Sequence, residues 1–123
     1  MRLLLDTHIL VWLVLNDKRL TDAQREALEE PNNELIIGPT VTYELTHLQQ
    51  NQRIPLSEPI DRLQQLVGFT LVDLPHGIWR VLAGLPDIHR DPVDRMLVAH
   101  ALTDEMTLIT ADADIRRYPV LCI

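Results

Sequence analysis

Arg2-Leu3-Leu4-Leu5-Asp6-Thr7-His8-Ile9-Leu10-Val11-Trp12-Leu13-Val14-Leu15 is the stretch that decides the fold. Arg2 to Leu5 is a short apolar run closed by an acid, which reads as a buried strand. Thr7 to Leu15 is nearly all apolar and follows directly, so it reads as a buried helix. The same alternation continues along the chain. Thr21 caps a polar helix to Glu30, stopped by Pro31. Leu35 to Ile37 is a second strand, ended by Gly38-Pro39, and Thr40 to Gln50 is a third helix. Pro55 and Pro59 bracket a turn before a helix from Ile60 to Val67, with Gly68 after it. Phe69 to Val72 is a third strand and Gly77 to Ala83 a short helix. Asp91-Pro92 opens a helix over Val93 to Asp104, with proline at its favoured first position. Thr107 to Thr110 is a fourth strand, Asp112 to Arg116 a helical turn, and Val120 to Ile123 a candidate edge strand. Short continuous apolar strands alternating with helices predict an α/β fold of three layers, α/β/α, around a short, mostly parallel central sheet. The 123 residues suit a single domain over 1–123, with no repeat, linker or low-complexity segment.

Composition narrows the function classes. With 46% hydrophobic and 24% charged residues, this is a globular rather than a disordered chain. The longest unbroken apolar stretch, Ile9 to Leu15, is too short to cross a bilayer, so no membrane role is expected. Arg2 leads straight into a strand and no small-residue cleavage site follows, so no signal peptide is read. The single cysteine, Cys122, excludes an internal disulfide and fits a reducing cytoplasm. A formal net charge of -7 argues against holding nucleic acid by bulk electrostatics. Bound cations can still reverse that sign locally. Ten of the eleven basic residues are Arg and the other is Lys18. Lys18-Arg19, Arg116-Arg117, Arg90 and Arg95 are candidates for phosphate contacts, although a solvated surface charge accounts better for each alone.

Four acids carry the chemistry. Asp6 and Asp112 sit at the ends of apolar strand-like runs. In open parallel sheets, sites form beyond the carboxyl ends of the strands, so both should lie on one edge. Either helix capping or ligation accounts for each of these two. Glu44 and Asp94 are harder to explain as caps. Val41, Glu44, Leu45 and Leu48 share one helical stripe, as do Asp94, Leu97, Val98 and Ala101. An unpaired carboxylate on a core-facing stripe costs several kcal/mol or takes up a proton, so a cation or an Arg must compensate it. A shared metal explains all four acids together. Oxygen-only ligation selects Mg²⁺, with Mn²⁺ able to substitute. Mg²⁺ takes only one or two carboxylates directly, and Asp6 and Asp94 are assigned that role. Glu44 and Asp112 then bind a second ion or orient water, and two ions roughly 3.5–4 Å apart suit phosphodiester hydrolysis. Asp91 reads as a cap, and Asp114 as a solvated residue at the rim.

Rival chemistries lack their residues. Ser57 is the only serine and no G-x-S-x-G elbow exists. Cys122 reads as a small buried apolar residue. Neither phosphate-binding glycine motif occurs. An aspartyl-phosphate enzyme would need a lysine late in the fold, and Lys18 comes too early. The five histidines show no metal-binding spacing. His8 and His89 lie near the expected edge, but packing or capping is the expected role of all five.

The chain resembles the PIN-domain ribonucleases, and within them the VapC-type toxins of bacterial toxin–antitoxin pairs. The resemblance rests on Leu4-Leu5-Asp6-Thr7-His8 with Trp12, on Thr42-Tyr43-Glu44-Leu45, on His89-Arg90-Asp91-Pro92-Val93-Asp94-Arg95 followed by Leu97, Ala99 and Ala101, and on Leu108-Ile109-Thr110-Ala111-Asp112. Each motif is weak alone, but together, in order, they span nearly the whole chain. Val93 departs from the pattern, since many relatives carry Phe there. The resemblance implies a PIN-like fold and an acidic Mg²⁺ pocket of Asp6, Glu44, Asp94 and Asp112, with Asp91 in support. It also implies RNA as substrate, a homodimer, and a small cognate antitoxin that wraps the toxin. Metal-assisted hydrolysis with water as nucleophile would leave a 5′-phosphate on the downstream fragment. Competing readings are a DNA- or structure-specific nuclease with the same site, a non-catalytic binding module, and a small-molecule phosphatase.

Overall fold

In the computed structural model, which describes Met1–Ile123 throughout, the opening stretch folds as its pattern predicts. Strand β1 runs Arg2–Leu5 and helix α1 runs Thr7–Leu15. Leu3, Leu4, Leu5, Ile9 and Leu10 are all fully buried, which is why no polar residue interrupts them. Asn16 ends α1 in the left-handed conformation, which Asn tolerates well.

The remaining elements are α2 (Asp22–Glu29), β2 (Glu34–Ile37), α3 (Pro39–Gln50), α4 (Ile60–Val67), β3 (Thr70–Leu71), α5 (Ile78–Gly84), α6 (Pro92–Thr103) and β4 (Thr107–Ile109), followed by a 3₁₀ turn at Ile115–Arg117. Thr21 and Gln24 form a reciprocal capping box on α2. Pro39 and Pro92 open α3 and α6, where a missing N–H costs nothing. Gly68 closes α4 at φ 85°, a conformation that strains any side chain.

The sheet has the order β3-β2-β1-β4, and every pairing is parallel. Leu4 stands between Ile36 and Leu108, so β1 lies inside the sheet with β4 along its outer side. Helices cover both faces in a three-layer α/β/α arrangement. The helices lend Val41, Leu45, Leu63, Leu97 and Val98 to a single core with the sheet residues.

Several boundaries differ from the sequence reading, and three of the differences have a structural reason. The expected edge strand at Val120 to Ile123 contracts to one parallel bridge, Leu108 to Cys122. Gln24 fixes this tail, because its Nε2 donates to the carbonyls of Thr110 (3.1 Å) and Ile123 (3.3 Å). Strand β3 keeps only Thr70–Leu71, both exposed, while Phe69 turns into the core. The last helical turn starts at Ile115 rather than Asp112, because Asp112 accepts the N–H groups that precede it. Cys122 is half-buried against the core, and burial pushes its thiol pKa up.

His100 is a buried packing residue with no exposure. Its Nε2 lies 3.3 Å from Asp104 without hydrogen-bond geometry, so neither ring nitrogen is satisfied. Burial lowers its pKa, against the pull of Asp104. No helix is long and apolar enough to cross a membrane.

Candidate metal centre

The parallel pairing of β1 with β4 builds the site. The Asp6 N–H extends the ladder by donating to Ile109 O at 3.0 Å, which puts Asp6 beyond the last strand residue and at the cap of α1. Its side chain is 8% exposed. Oδ1 accepts the Thr7 N–H at 2.7 Å, and Oδ2 accepts the Thr110 hydroxyl at 2.7 Å. Thr110 Oγ1 in turn accepts the Asp112 N–H at 3.1 Å, so one hydroxyl links the two strand-end acids. Asp112 Oδ1 accepts from the N–H groups of Asp114 (2.8 Å) and Ile115 (3.3 Å). Capping and site geometry are therefore combined in both residues.

The stripe positions carry the other two acids. Val41 and Leu45 of α3 are buried, and Glu44 is half-buried between them. Leu97, Val98 and Ala101 of α6 are buried, with Asp94 one turn before them. Asp94 lies in the first turn of α6, where the helix dipole favours a negative charge. Asp91 is the helix cap, accepting the Val93 N–H at 2.8 Å. Asp6, Glu44, Asp94 and Asp112 all line one open pocket of about 360 Å³, together with Asp91, His8 and Trp12.

No arginine neutralises this pocket. The only Arg–carboxylate pairs are Arg19–Asp17 and Arg117–Asp114. Arg95 points elsewhere, donating to Pro86 O and the Tyr118 hydroxyl. Arg116 donates to Thr110 O, and Arg19 lies over the Trp12 ring at 4.8 Å. Arg90 is exposed.

The missing counter-charge appears in the acids' proton affinities. Burial pushes the Asp6 carboxyl above its usual range, against its hydrogen bonds from Thr110 and Thr7. Asp94 is pushed up to about 7, by burial first and then by the charges of Asp6 and Asp91, with Glu44 adding to them and His89 opposing. For Asp112, burial raises the pKa, but the His89 contact and two backbone N–H groups outweigh it and lower the net value. Two carboxyls held above their usual range, with no arginine paired to them, fit a hard divalent cation.

His89 is the site residue that sequence reasoning undervalued. Its Nε2 lies 3.0 Å from Asp94 Oδ2 and 3.1 Å from Asp112 Oδ2. Burial alone would lower its pKa, but the hydrogen bond to Asp112 and the charges of Asp94, Asp112 and Asp114 raise it. His89, Asp112 and Asp114 also offer donor atoms within 4.8 Å of one another. The available signal was its position two residues before a helix-capping Asp, where the loop turns back toward the pocket. Thr110 was also missed as a site residue. Its signal was a hydroxyl at a buried strand end, where an apolar side chain is the usual choice.

Thr110→Val gives a direct test of this wiring, since it removes the hydroxyl at nearly constant shape. Asp6 loses a charge-assisted hydrogen bond, and a cost of about 1.5–3 kcal/mol is expected. Urea unfolding reads this directly, and a loss within experimental error would show that the bond contributes little.

Comparisons with known proteins identify the family. The PIN domain family profile matches residues 3–121. The chain is 30% identical over 118 residues to Ribonuclease VapC22 of Mycobacterium tuberculosis, covering 94% of this chain and 90% of that protein. Among solved structures, it is similar to VapBC2 from Rickettsia felis bound to a DNA fragment from their promoter. That match has a TM-score of 0.70 at 20% identity, over 100% of this chain and 98% of the other. It is also similar to VapBC-1 from nontypeable Haemophilus influenzae, with a TM-score of 0.65 at 18% identity, over 100% and 97% of the two chains. The strand order, the acidic pocket at the carboxyl edge of the sheet and these likenesses agree: the chain belongs to the PIN-domain family, as a homologue of the VapC ribonucleases.

Proposed function

We propose that this protein is a Mg²⁺-dependent endoribonuclease, the toxin of a cytoplasmic toxin–antitoxin pair. The observation that carries the reading is the convergence of Asp6, Glu44, Asp94 and Asp112 on one open pocket with no arginine or lysine paired to them. Asp6 and Asp94 are the proposed direct ligands. Glu44 is placed to accept a proton from an incoming water or to hold that water in line. Asp112, already held by two N–H groups, supplies fixed negative charge at the pocket wall. The bound cation would supply Lewis-acid stabilisation of the charge that develops on the phosphoryl oxygens. Mn²⁺ is expected to substitute for Mg²⁺.

The fold match with VapBC assemblies supports an antitoxin as partner, and a homodimer is proposed alongside it. Two apolar clefts support protein partners. One is lined by Leu13, Val14, Leu28, Leu35, Leu66 and Val67. The other includes Tyr43, Leu74, Val93 and Met96.

Incubation with RNA and with single-stranded DNA, followed by end analysis of the products, tests the proposal. Cleavage of RNA with Mg²⁺ or Mn²⁺, a 5′-phosphate on the downstream fragment and loss of activity in excess EDTA are expected. Ends carrying 2′,3′-cyclic phosphate would sink the hydrolytic mechanism, and full activity in EDTA would sink the metal. Preferential DNA cleavage would favour a nuclease outside a toxin–antitoxin system.

A further inference from the structure

His89 is the only side chain outside the four acids that contacts the carboxylates of two of them. Its Nε2 contacts with Asp94 Oδ2 (3.0 Å) and Asp112 Oδ2 (3.1 Å) are ambiguous on length alone. Two neighbouring ligands of an octahedral ion, each about 2.1 Å from it, stand about 3 Å apart. An N–H···O hydrogen bond has the same length.

The other ring nitrogen resolves the ambiguity. Nδ1 accepts the backbone N–H of Asp91 at 3.2 Å, so its lone pair is engaged and the ring proton sits on Nε2. Nε2 then has no lone pair to offer a cation. It carries its N–H into the gap between the two carboxylates instead.

The ring is held there firmly. The His89 backbone N–H donates to the Tyr118 hydroxyl at 2.8 Å, and Tyr118 is buried. Arg95 donates to that same hydroxyl at 3.2 Å and to Pro86 O at 3.0 Å, tying the loop before α6 to the body of the fold. Asp94 Oδ2 and Asp112 Oδ2 are thereby occupied by an internal donor. Asp6, Glu44 and Asp94 all line the pocket.

We propose that His89 takes the place of a second cation between Asp94 and Asp112, so that the pocket holds one divalent ion per chain. This inference rests on the metal reading of the pocket. His89 is then a positioning residue: it spaces the two carboxylates and offsets their repulsion without ligating.

Titration with Mn²⁺, followed by calorimetry and by electron paramagnetic resonance, tests the assignment on the full chain. Wild type is expected to bind one Mn²⁺. His89→Ala is expected to bind two, with the spectral signature of a coupled pair. His89→Gln, which keeps an N–H donor of similar reach, is expected to bind one. Two ions in wild type would overturn the proposal whatever the variants do. A single ion in folded His89→Ala would also overturn it. Loss of all binding in that variant would overturn it by making His89 a ligand. No Mn²⁺ binding by any of the three chains would overturn the metal reading itself, and this inference with it.

Discussion

Asp94→Asn is expected to lose RNA cleavage and divalent-ion binding, and at the same time to melt higher than wild type in EDTA at pH 8. The loss follows from the proposed ligand role. Changes to groups that merely support a metal ligand already cost 10–100-fold, so removing a direct ligand should cost at least about 100-fold. The gain in stability follows from electrostatics. Folding raises the Asp94 carboxyl from 3.8 to about 7, mainly through burial and the charges of Asp6 and Asp91. Between those values the native state holds a proton that the unfolded chain releases, so stability falls as pH rises through the window. Asn is neutral throughout and removes this cost, while its oxygen can still accept the His89 N–H. The gap in melting temperature should therefore open between about pH 4 and pH 7 and stay level above it. A variant less stable than wild type at pH 8 would make Asp94 a structural residue, and the proposed metal site would lose its central ligand.

Gly38→Ala is expected to be among the more damaging single-methyl additions in this chain. Gly38 links β2 to α3 in extended backbone, so its conformation does not demand glycine. Space does. A Cβ there would stand 2.8 Å from Nδ1 and 2.9 Å from Cε1 of His100, whose ring is wholly buried and cannot swing away. Overpacking of this kind costs about 1–3 kcal/mol, or roughly 4–12 °C in Tm for a chain of this size. The penalty belongs to the pair, so it should vanish when measured in a His100→Ala background. An undiminished penalty in that background would place the cause in the backbone instead. Because α3 carries Glu44, a shift of this helix start should also weaken the pocket.

Much of the frame could be read from the chain because its signals are local. Continuous apolar runs mark β1, β2 and β4, and Asp91-Pro92 and Gly68 mark helix ends through their own backbone chemistry. Asp6 and Asp112 were placed on one edge because parallel strands send their carboxyl ends the same way. What escaped the sequence depends on contacts across the fold. Thr70 and Leu71 are exposed, so no burial pattern marks the limits of β3. The tail from Val120 to Ile123 is held partly by Gln24, a helix residue about a hundred positions away. His89 became legible only when the loop before α6 was seen to turn its ring between Asp94 and Asp112. Arg95, a candidate phosphate contact by sequence, is spent on Pro86 and Tyr118.

The pairing of Leu5 with Ile109 has a bearing on how the protein is made. Translation delivers Asp6 long before Asp112. Until the final strand has emerged, Asp6 lacks the Thr110 hydroxyl, Asp112 is absent and β1 has only one of its two neighbours. A nascent chain, or one cut short before β4, therefore has no assembled pocket, however well the preceding segment has condensed. Emergence of β4 and arming of the site become the same event.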